Sequence, residues 1–322
     1  MADPTLPVID FTPFISGTDE ARRATATNID RACRESGFFY LENHGIAPAI
    51  FADAFTAADK FFARPLAEKQ RIAIENSACH RGWFALGGEA LDARAHPEGD
   101  YKEGIKIGQD LAPDHPRVQA GIALHGPNQW PDLPDWQPTM QRCFAACEDL
   151  SRQLMQAFAL ALGLEQQFFD PWLNLPMATL GPLYYPPVPA DARGRMSAGA
   201  HTDFGCLTLL AQQHIGGLEI WTRDDTWCAV PPRENMLVVN IGDMLARWTN
   251  DRYASTRHRV VNTSEHTRLS LAFFFDPDPD VDLSPLPGCL PPGAAPKYPP
   301  ATSLSHLIDK IGESFSYRDK TE

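Results

Sequence analysis

The chain has 322 residues, 43% of them apolar and 21% charged, and carries a net charge of -13 from 41 acidic against 28 basic side chains. It is long enough to bury a substantial core, and its composition excludes global disorder. With no long basic run to offset the acidity, nucleic acid and anionic membrane are not expected as partners, and an anionic ligand has to be held by a few local cations. Met1 to Phe11 is polar and contains proline, with no charged segment leading into an apolar stretch, and no apolar run approaches membrane-spanning length. A cytoplasmic protein is expected. The seven cysteines form no CxxC pair and no even framework, which fits a reducing compartment. Cys143 and Cys147, four apart on an expected helix, read as core packing rather than a metal pair.

Leu6-Pro7-Val8-Ile9-Asp10-Phe11 alternates enough for a first strand. Asp19 to Ser36 predicts a helix stopped by Gly37, before a short strand from Phe38 to Leu41. Asn43-His44-Gly45 is a turn in which His44 should bond the local backbone. Pro48 opens the next helix, with Ile50, Phe51, Phe55, Ala58 and Phe62 on one stripe. Cys79 to Gly108 is Gly-rich and aromatic, and two short strands joined by an irregular loop are expected there, a candidate wall for a substrate entrance. Asp110 to Pro138 reads as a surface linker. Thr139 to Leu162 is the longest helical pattern, with Cys143, Cys147, Leu150, Leu154, Phe158 and Leu162 in one stripe and Gly163 closing it. Glu165 to Leu173 predicts a short second helix.

After Pro176 the texture changes. Met177 to Tyr185, Cys206 to Gln212, Leu218 to Thr222, Thr226 to Val230, Asn235 to Ile241, Arg257 to Asn262 and Arg268 to Phe275 read as strands without intervening helices, the pattern of a sandwich or jelly roll. Asp276 to Pro300 is dense in proline and reads as extended, and Ser303 to Phe315 predicts a last helix. The expected organisation is a helical and mixed region over 1–175, a β core over 176–280 and a tail over 281–322, all in one structural unit.

The chemistry concentrates in the β region. In Ala200-His201-Thr202-Asp203-Phe204-Gly205, strand geometry would put His201 and Asp203 on one face, and His258, at the start of an apolar β-branched run, offers a third ligand. Two imidazoles and a carboxylate leave three octahedral positions open, a donor set that suits Fe(II) with a bidentate co-substrate and O2. A His-x-Asp triplet by itself is weak, and two separately satisfied core histidines are the bland alternative. Arg268-Leu269-Ser270 weighs against that alternative. On a strand Arg268 and Ser270 share one face, while Leu269, Leu271 and Phe273 share the other, and a guanidinium fork beside a hydroxyl suits an anionic co-substrate. Arg34-Glu35-Ser36 also matches, but lies on a helix end where i and i+2 diverge. Arg195-Met196-Ser197 remains a rival. Phe204, Phe274 and the region from Trp83 to Lys102 are candidate pocket residues. His214, His266 and His306 read as surface residues, and Trp221, Trp227 and Trp248 as core or edge aromatics.

Further segments carry a resemblance. They are Leu6-Pro7-Val8-Ile9-Asp10, Gly37-Phe38-Phe39-Tyr40-Leu41-Glu42-Asn43-His44-Gly45, Gly126-Pro127-Asn128-Gln129-Trp130-Pro131, Tyr184-Tyr185-Pro186-Pro187, Gly216-Gly217-Leu218 and Asn240-Ile241-Gly242-Asp243. With the His-x-Asp…His and Arg-x-Ser patterns, the chain resembles the isopenicillin N synthase-like branch of the Fe(II)/2-oxoglutarate-dependent dioxygenases. The resemblance implies a mainly β fold with flanking helices around a double-stranded β-helix (jelly-roll) core. It implies iron on His201, Asp203 and His258, the distal carboxylate of 2-oxoglutarate on Arg268 and Ser270, and Tyr185 against the same carboxylate. In the family's Asn-x-Tyr-Pro segment the Asn position is here Leu183. The implied reaction couples decarboxylation of 2-oxoglutarate to succinate and CO2 with O2-dependent hydroxylation or desaturation of a small molecule, with no catalytic residue beyond the metal ligands. An alternative within the fold is an iron oxidase that does not use 2-oxoglutarate, of the oxidative cyclase or ethylene-forming type, in which Arg268 and Ser270 hold a substrate carboxylate. A non-enzymatic jelly-roll binding module is the third reading, and it has no need of three open coordination positions.

Overall fold

The computed structural model describes residues 6–188, 196–262 and 264–314. The first half runs β1 (Val8–Asp10), α1 (Thr12–Ser16), α2 (Asp19–Glu35), β2 (Phe38–Glu42), α3 (Pro48–Phe62), α4 (Leu66–Lys69), β3 (Gly82–Phe84), β4 (Glu103–Gly108), α5 (Pro116–Gln119) and α6 (Trp136–Ala161). The second half runs β5 (Met177–Tyr185), β6 (Ala198–His201), β7 (Leu207–Gln212), β8 (Leu218–Trp221), β9 (Trp227–Ala229), β10 (Leu237–Ile241), α7 (Asp243–Trp248), β11 (His258–Val260), β12 (Arg268–Asp276) and α8 (Ser303–Ser314).

The strands form two sheets, one of eight in the order β1-β2-β10-β7-β12-β5-β4-β3 and one of four in the order β6-β11-β8-β9. From β5 to β12 the chain alternates between the two sheets except at the β8-β9 hairpin, which stays in the smaller one; this is a jelly-roll arrangement, and β1 to β4 extend the larger sheet at both edges. Strand alternation then assigns the faces. Along β12, Leu269, Leu271, Phe273 and Phe275 enter the main apolar core, where Phe273 meets Phe144 of α6 edge-on at 5.1 Å. Each such aromatic contributes roughly 1.5–3 kcal/mol through burial. Arg268, Ser270, Ala272, Phe274 and Asp276 alternate onto the opposite face, toward the smaller sheet, and all five line the cavity between the sheets.

The helices form where their ends are chemically marked. The Thr18 hydroxyl caps α2 by accepting from the Ala21 N–H, and Gly37 stops it with φ +67°, at a point where a Cβ would strike the Ala254 carbonyl. α6 buries Cys143, Cys147, Leu150, Leu154 and Phe158 as its stripe requires, and all seven cysteines are free and buried. Among the described residues no helix is long and apolar enough to cross a membrane.

Four local expectations fail. α6 starts at Trp136, three residues inside the expected linker, and α5 adds one turn there. Over 165–173 only a 3-10 turn, Asp170–Trp172, forms, because Pro171 lacks an N–H and disfavours helical backbone at Asp170. α7 interrupts the β region, and its six residues are too few to register as helical periodicity. β6, which is Ala-Gly-Ala-His, has no apolar alternation of its own and is imposed by pairing with β11.

Candidate active site

His201 ends β6 and pairs across the small sheet with His258, which begins β11, so the two rings lie 4.2 Å apart. Asp203 does not share the strand with His201. It lies two residues beyond β6, and the turn rather than strand alternation brings its carboxylate to the imidazoles. Asp203 Oδ1 stands 3.7 Å from His201 Nε2 and 3.5 Å from His258 Nε2, and the three donor atoms all lie within 4.8 Å of one another.

Every other polar atom of the trio is already committed. Asp203 Oδ2 accepts from Thr208 Oγ1 at 2.5 Å and from Asn240 Nδ2 at 2.7 Å. His201 Nδ1 bonds the Gly199 carbonyl at 2.7 Å, and His258 Nδ1 bonds the Thr256 carbonyl at 3.1 Å. A carbonyl only accepts, so both Nδ1 atoms carry protons and both Nε2 atoms face the common centre. Burial and the neighbouring His258 push His201 down to about 3. Burial works against ionisation of Asp203, but His258, His201 and Asn240 hold it well below the usual carboxylate range. For His258 burial is outweighed by Asp203, which raises it above the ordinary histidine value. Asp203 therefore favours a proton on His258 Nε2, which a divalent cation would have to replace.

One carboxylate braces the loops. Asp243 Oδ2 accepts from Thr202 Oγ1 at 3.1 Å, its Oδ1 accepts from Ser255 Oγ at 2.7 Å, and its N–H donates to the Asp203 carbonyl at 2.7 Å. Gly242 permits this, since a Cβ there would strike the Gly205 carbonyl and lie 2.8 Å from the Asp203 carbonyl. Asn240, Gly242 and Asp243 thus have physical work beside the metal trio that sequence reasoning does not assign, although the segment stands out as a family match. Upstream, the Asp100 carboxylate accepts from the Gly199 N–H at 2.9 Å and pairs with Lys102 at 2.5 Å, so a loop from the first half of the chain holds the strand that carries His201.

Arg268, Ser270 and Tyr185 meet at one end of the cavity. Arg268 is 1% exposed, its Nη1 reaches Ser270 Oγ at 3.4 Å, its Nη2 donates to Gln212 Oε1 at 3.1 Å, and its guanidinium lies 4.6 Å over the Tyr185 ring. Its Nε is buried without a hydrogen-bond partner, and among the described residues no carboxylate forms an ion pair with it. Burial consequently lowers its pKa. A buried cation without a counter-anion is a receptor for an exogenous one. Leu183, in the Asn position, lines the cavity with an apolar side chain. Of the rival Arg-x-Ser pairs, Arg34 pairs with Asp30 on the surface of α2, and Arg195 lies outside the described residues.

The cavity runs along the inner face of β12 from Arg268 to Asp276, about 26 Å at strand rise, and the metal trio lines it as well. Phe204 and Phe274 line it as expected, and so do Glu89, Leu91 and Lys102 of the irregular loop. Trp83 instead bonds Glu103 through its indole N–H at 2.6 Å. Asp276 accepts from the Cys206 N–H at 2.6 Å, and burial pushes its carboxyl up to about 7. α8 covers the cavity with Leu307 and Ile311. His306 is not a surface residue: it is buried, with Nε2 2.9 Å from the Phe204 carbonyl, which also accepts from the Met244 N–H at 3.1 Å. His44 accepts from the Ile46 N–H at 3.2 Å, the local role expected of it. Trp248 is core, and Trp221 packs edge-on against Trp227 at 5.0 Å.

Comparison with known proteins agrees with this geometry. Residues 6–133 match the family model described as the N-terminal region of non-haem dioxygenase in morphine synthesis, and residues 178–277 match that of the 2OG-Fe(II) oxygenase superfamily. The 2-oxoglutarate-Fe(II) type oxidoreductase hxnY of Emericella nidulans is 38% identical over 310 residues, covering 94% of this chain and 88% of that protein. Homoarginine-6-hydroxylase of Oryza sativa subsp. japonica is 31% identical, covering 96% of this chain and 97% of that protein. A full-length Neurospora crassa protein solved with alpha-KG and thymine superposes with a TM-score of 0.85 at 31% identity, covering 97% of this chain and 98% of that one. The relatives' names and the alpha-KG bound in solved neighbours do not favour an oxidase independent of 2-oxoglutarate. The chain belongs to the isopenicillin N synthase-like branch of the Fe(II)/2-oxoglutarate-dependent dioxygenase superfamily, and it is a 2-oxoglutarate-dependent dioxygenase that uses Fe(II).

Proposed function

We propose that His201, Asp203 and His258 hold the iron, that Arg268 and Ser270 hold the distal carboxylate of 2-oxoglutarate above the Tyr185 ring, and that a small molecule is hydroxylated between Phe204, Phe274 and the Glu89 loop. The observation that carries this reading is the Arg268 guanidinium, fully buried, unpaired with any carboxylate among the described residues, and in the same cavity as three convergent metal-ligand atoms. The donor set fits a divalent iron because one carboxylate oxygen and two Nε2 atoms would hold it and leave coordination positions for a co-substrate. When bound, iron with 2-oxoglutarate and O2 supplies an oxidant for an unactivated C–H bond, and succinate and CO2 leave.

The protein's own groups bind and orient. Thr208 and Asn240 fix Asp203 so that only Oδ1 is offered, and the Gly199 and Thr256 carbonyls fix the two imidazole tautomers. Asp243 keeps the loops in register. Leu307 and Ile311 of α8, with Phe204, give the cavity an apolar wall that limits water. No general base is required. The stretches 1–175, 176–280 and 281–322 act as one catalytic unit, since all three contribute cavity wall. Thymine accompanying alpha-KG in the Neurospora crassa relative supports a small planar substrate over nucleic acid or membrane lipid. Seven free, buried cysteines support a cytoplasmic setting.

The test is anaerobic addition of Fe(II) and then 2-oxoglutarate. A visible metal-to-ligand charge-transfer band is expected in the natural protein and absent in His201→Ala. Iron retention without the band would remove 2-oxoglutarate from Arg268.

A further inference from the structure

Three carboxylates line the cavity, and two of them are met. Lys102 and Lys106 flank Glu89, and His201 and His258 flank Asp203. The third, Asp276, is 4% exposed and has no cation beside it among the described residues. Its Oδ1 accepts from the Cys206 N–H at 2.6 Å. Among the described residues its Oδ2 has no hydrogen-bond partner, yet it is not sealed inside the protein, so it opens on the cavity.

The backbone is arranged around this carboxyl. β12 pairs Phe274 with Thr208, whose hydroxyl holds Asp203, and Asp276 follows on the same face about 7 Å farther along the strand. A Cβ at Gly205, two residues past Asp203, would strike Asp276 Oδ1, so any side chain there would push the carboxyl away from the Cys206 N–H. The cross-strand partner of Asp276 on β5 is Met177, and Ala178, Phe204 and Leu307 also line the cavity. In such surroundings one backbone N–H does not offset the burial of a carboxylate, which is why its pKa is raised. A brace to the Cys206 N–H needs one oxygen and no charge, and an amide would serve. The second oxygen and the charge are left for a ligand.

The loaded centre has no charge to spare for it. On the dioxygenase reading, on which this inference rests, Fe(II) and the Arg268 guanidinium balance Asp203 and both carboxylates of 2-oxoglutarate. An anionic substrate would be repelled by Asp276, and a neutral one would leave its charge unmatched. We infer that Asp276 Oδ2 receives a cationic N–H group of the substrate, and that the substrate class is a small nitrogen base, protonated as an amidinium or ammonium, on an apolar body.

The experiment uses the full chain loaded anaerobically with Fe(II) and 2-oxoglutarate, with the charge-transfer band as the check on loading and calorimetric titration as the readout. The probes are benzamidinium, benzamide and benzoate, which share a shape and differ in charge. Benzamidinium is expected to bind saturably, with benzamide and benzoate weaker by at least about tenfold, the loss expected for a hydrogen bond to a charged group. Asp276→Asn keeps an acceptor for the Cys206 N–H, so it should retain the band while weakening benzamidinium by a similar factor and leaving benzamide unchanged. No binding of benzamidinium, benzamide or benzoate binding as tightly, or unchanged benzamidinium affinity in Asp276→Asn overturns the proposal. Absence of the band before any probe is added would instead overturn the dioxygenase site.

Discussion

Arg268→Gln separates a role in folding from a role in co-substrate binding. A residue buried to 1% exposure ordinarily destabilises when truncated, but Arg268 has an unbonded Nε and no carboxylate partner among the described residues, so its charge is a burden on the apo protein. The apo variant should melt no lower than the natural protein. Its 2-oxoglutarate affinity should collapse, since truncating one partner of a buried charge pair costs about 2–5 kcal/mol, or roughly 30- to 5000-fold in Kd. At a 2-oxoglutarate concentration about 100 times Kd the natural protein gains about 2.7 kcal/mol of stability. With an unfolding entropy of about 2.1 cal/mol/K per residue over 322 residues, that raises Tm by about 4 °C. At the same concentration a variant weakened about 100-fold gains about 0.4 kcal/mol, less than about 1 °C. Anaerobic thermal melts with Fe(II), with and without 2-oxoglutarate, read both quantities. An equal ligand-induced shift in the variant, or a fall of several degrees in its apo Tm, would refute the reasoning.

Iron affinity should rise with pH by up to one proton's slope through the raised His258 value, because Asp203 favours the protonated imidazole and iron must displace that proton. The same shift stabilises the apo fold below the ordinary histidine value, and that contribution is lost as pH rises through the folded one; a competition titration of iron across pH 5–9 showing a flat response would contradict it. Asp243→Ala leaves Thr202 and Ser255 without their acceptor and should weaken iron binding by at least about tenfold with little change in far-UV circular dichroism, whereas unaltered affinity would show that the loops hold themselves. Burial opposes the ionisation of Glu89, yet Lys102 and Lys106 hold it down to about 2 from 4.5, worth about 3 kcal/mol. That stability is complete above 4.5 and is lost as pH falls through the folded value, so Glu89→Gln should flatten the acid limb of an equilibrium unfolding profile, and an unchanged limb would place the charge balance elsewhere.

The site is legible in the sequence where function depends on residue type and local period. His201, Asp203 and His258 advertise a ligand set by their chemistry alone, and Arg268 and Ser270 share a face because alternation is a property of any single strand. Their neighbours are not legible in the same way. Asn240 and Asp243 mark a recognisable segment, but nothing local says that one carboxylate reaches both Thr202 and Ser255.

What the sequence by itself determines is the donor chemistry and the face each strand residue occupies, because both are local. Only the tertiary structure decides that the turn after β6 carries Asp203 to the imidazoles, that Asp100 supports Gly199 from about a hundred residues away, and that α8 folds back so that His306 meets the Phe204 carbonyl. It alone pairs Glu89 with Lys102 and Lys106 on the cavity wall. These contacts join residues whose separation along the chain carries no periodic signal, and their partners are set by where a loop closes and which buried charges must be met.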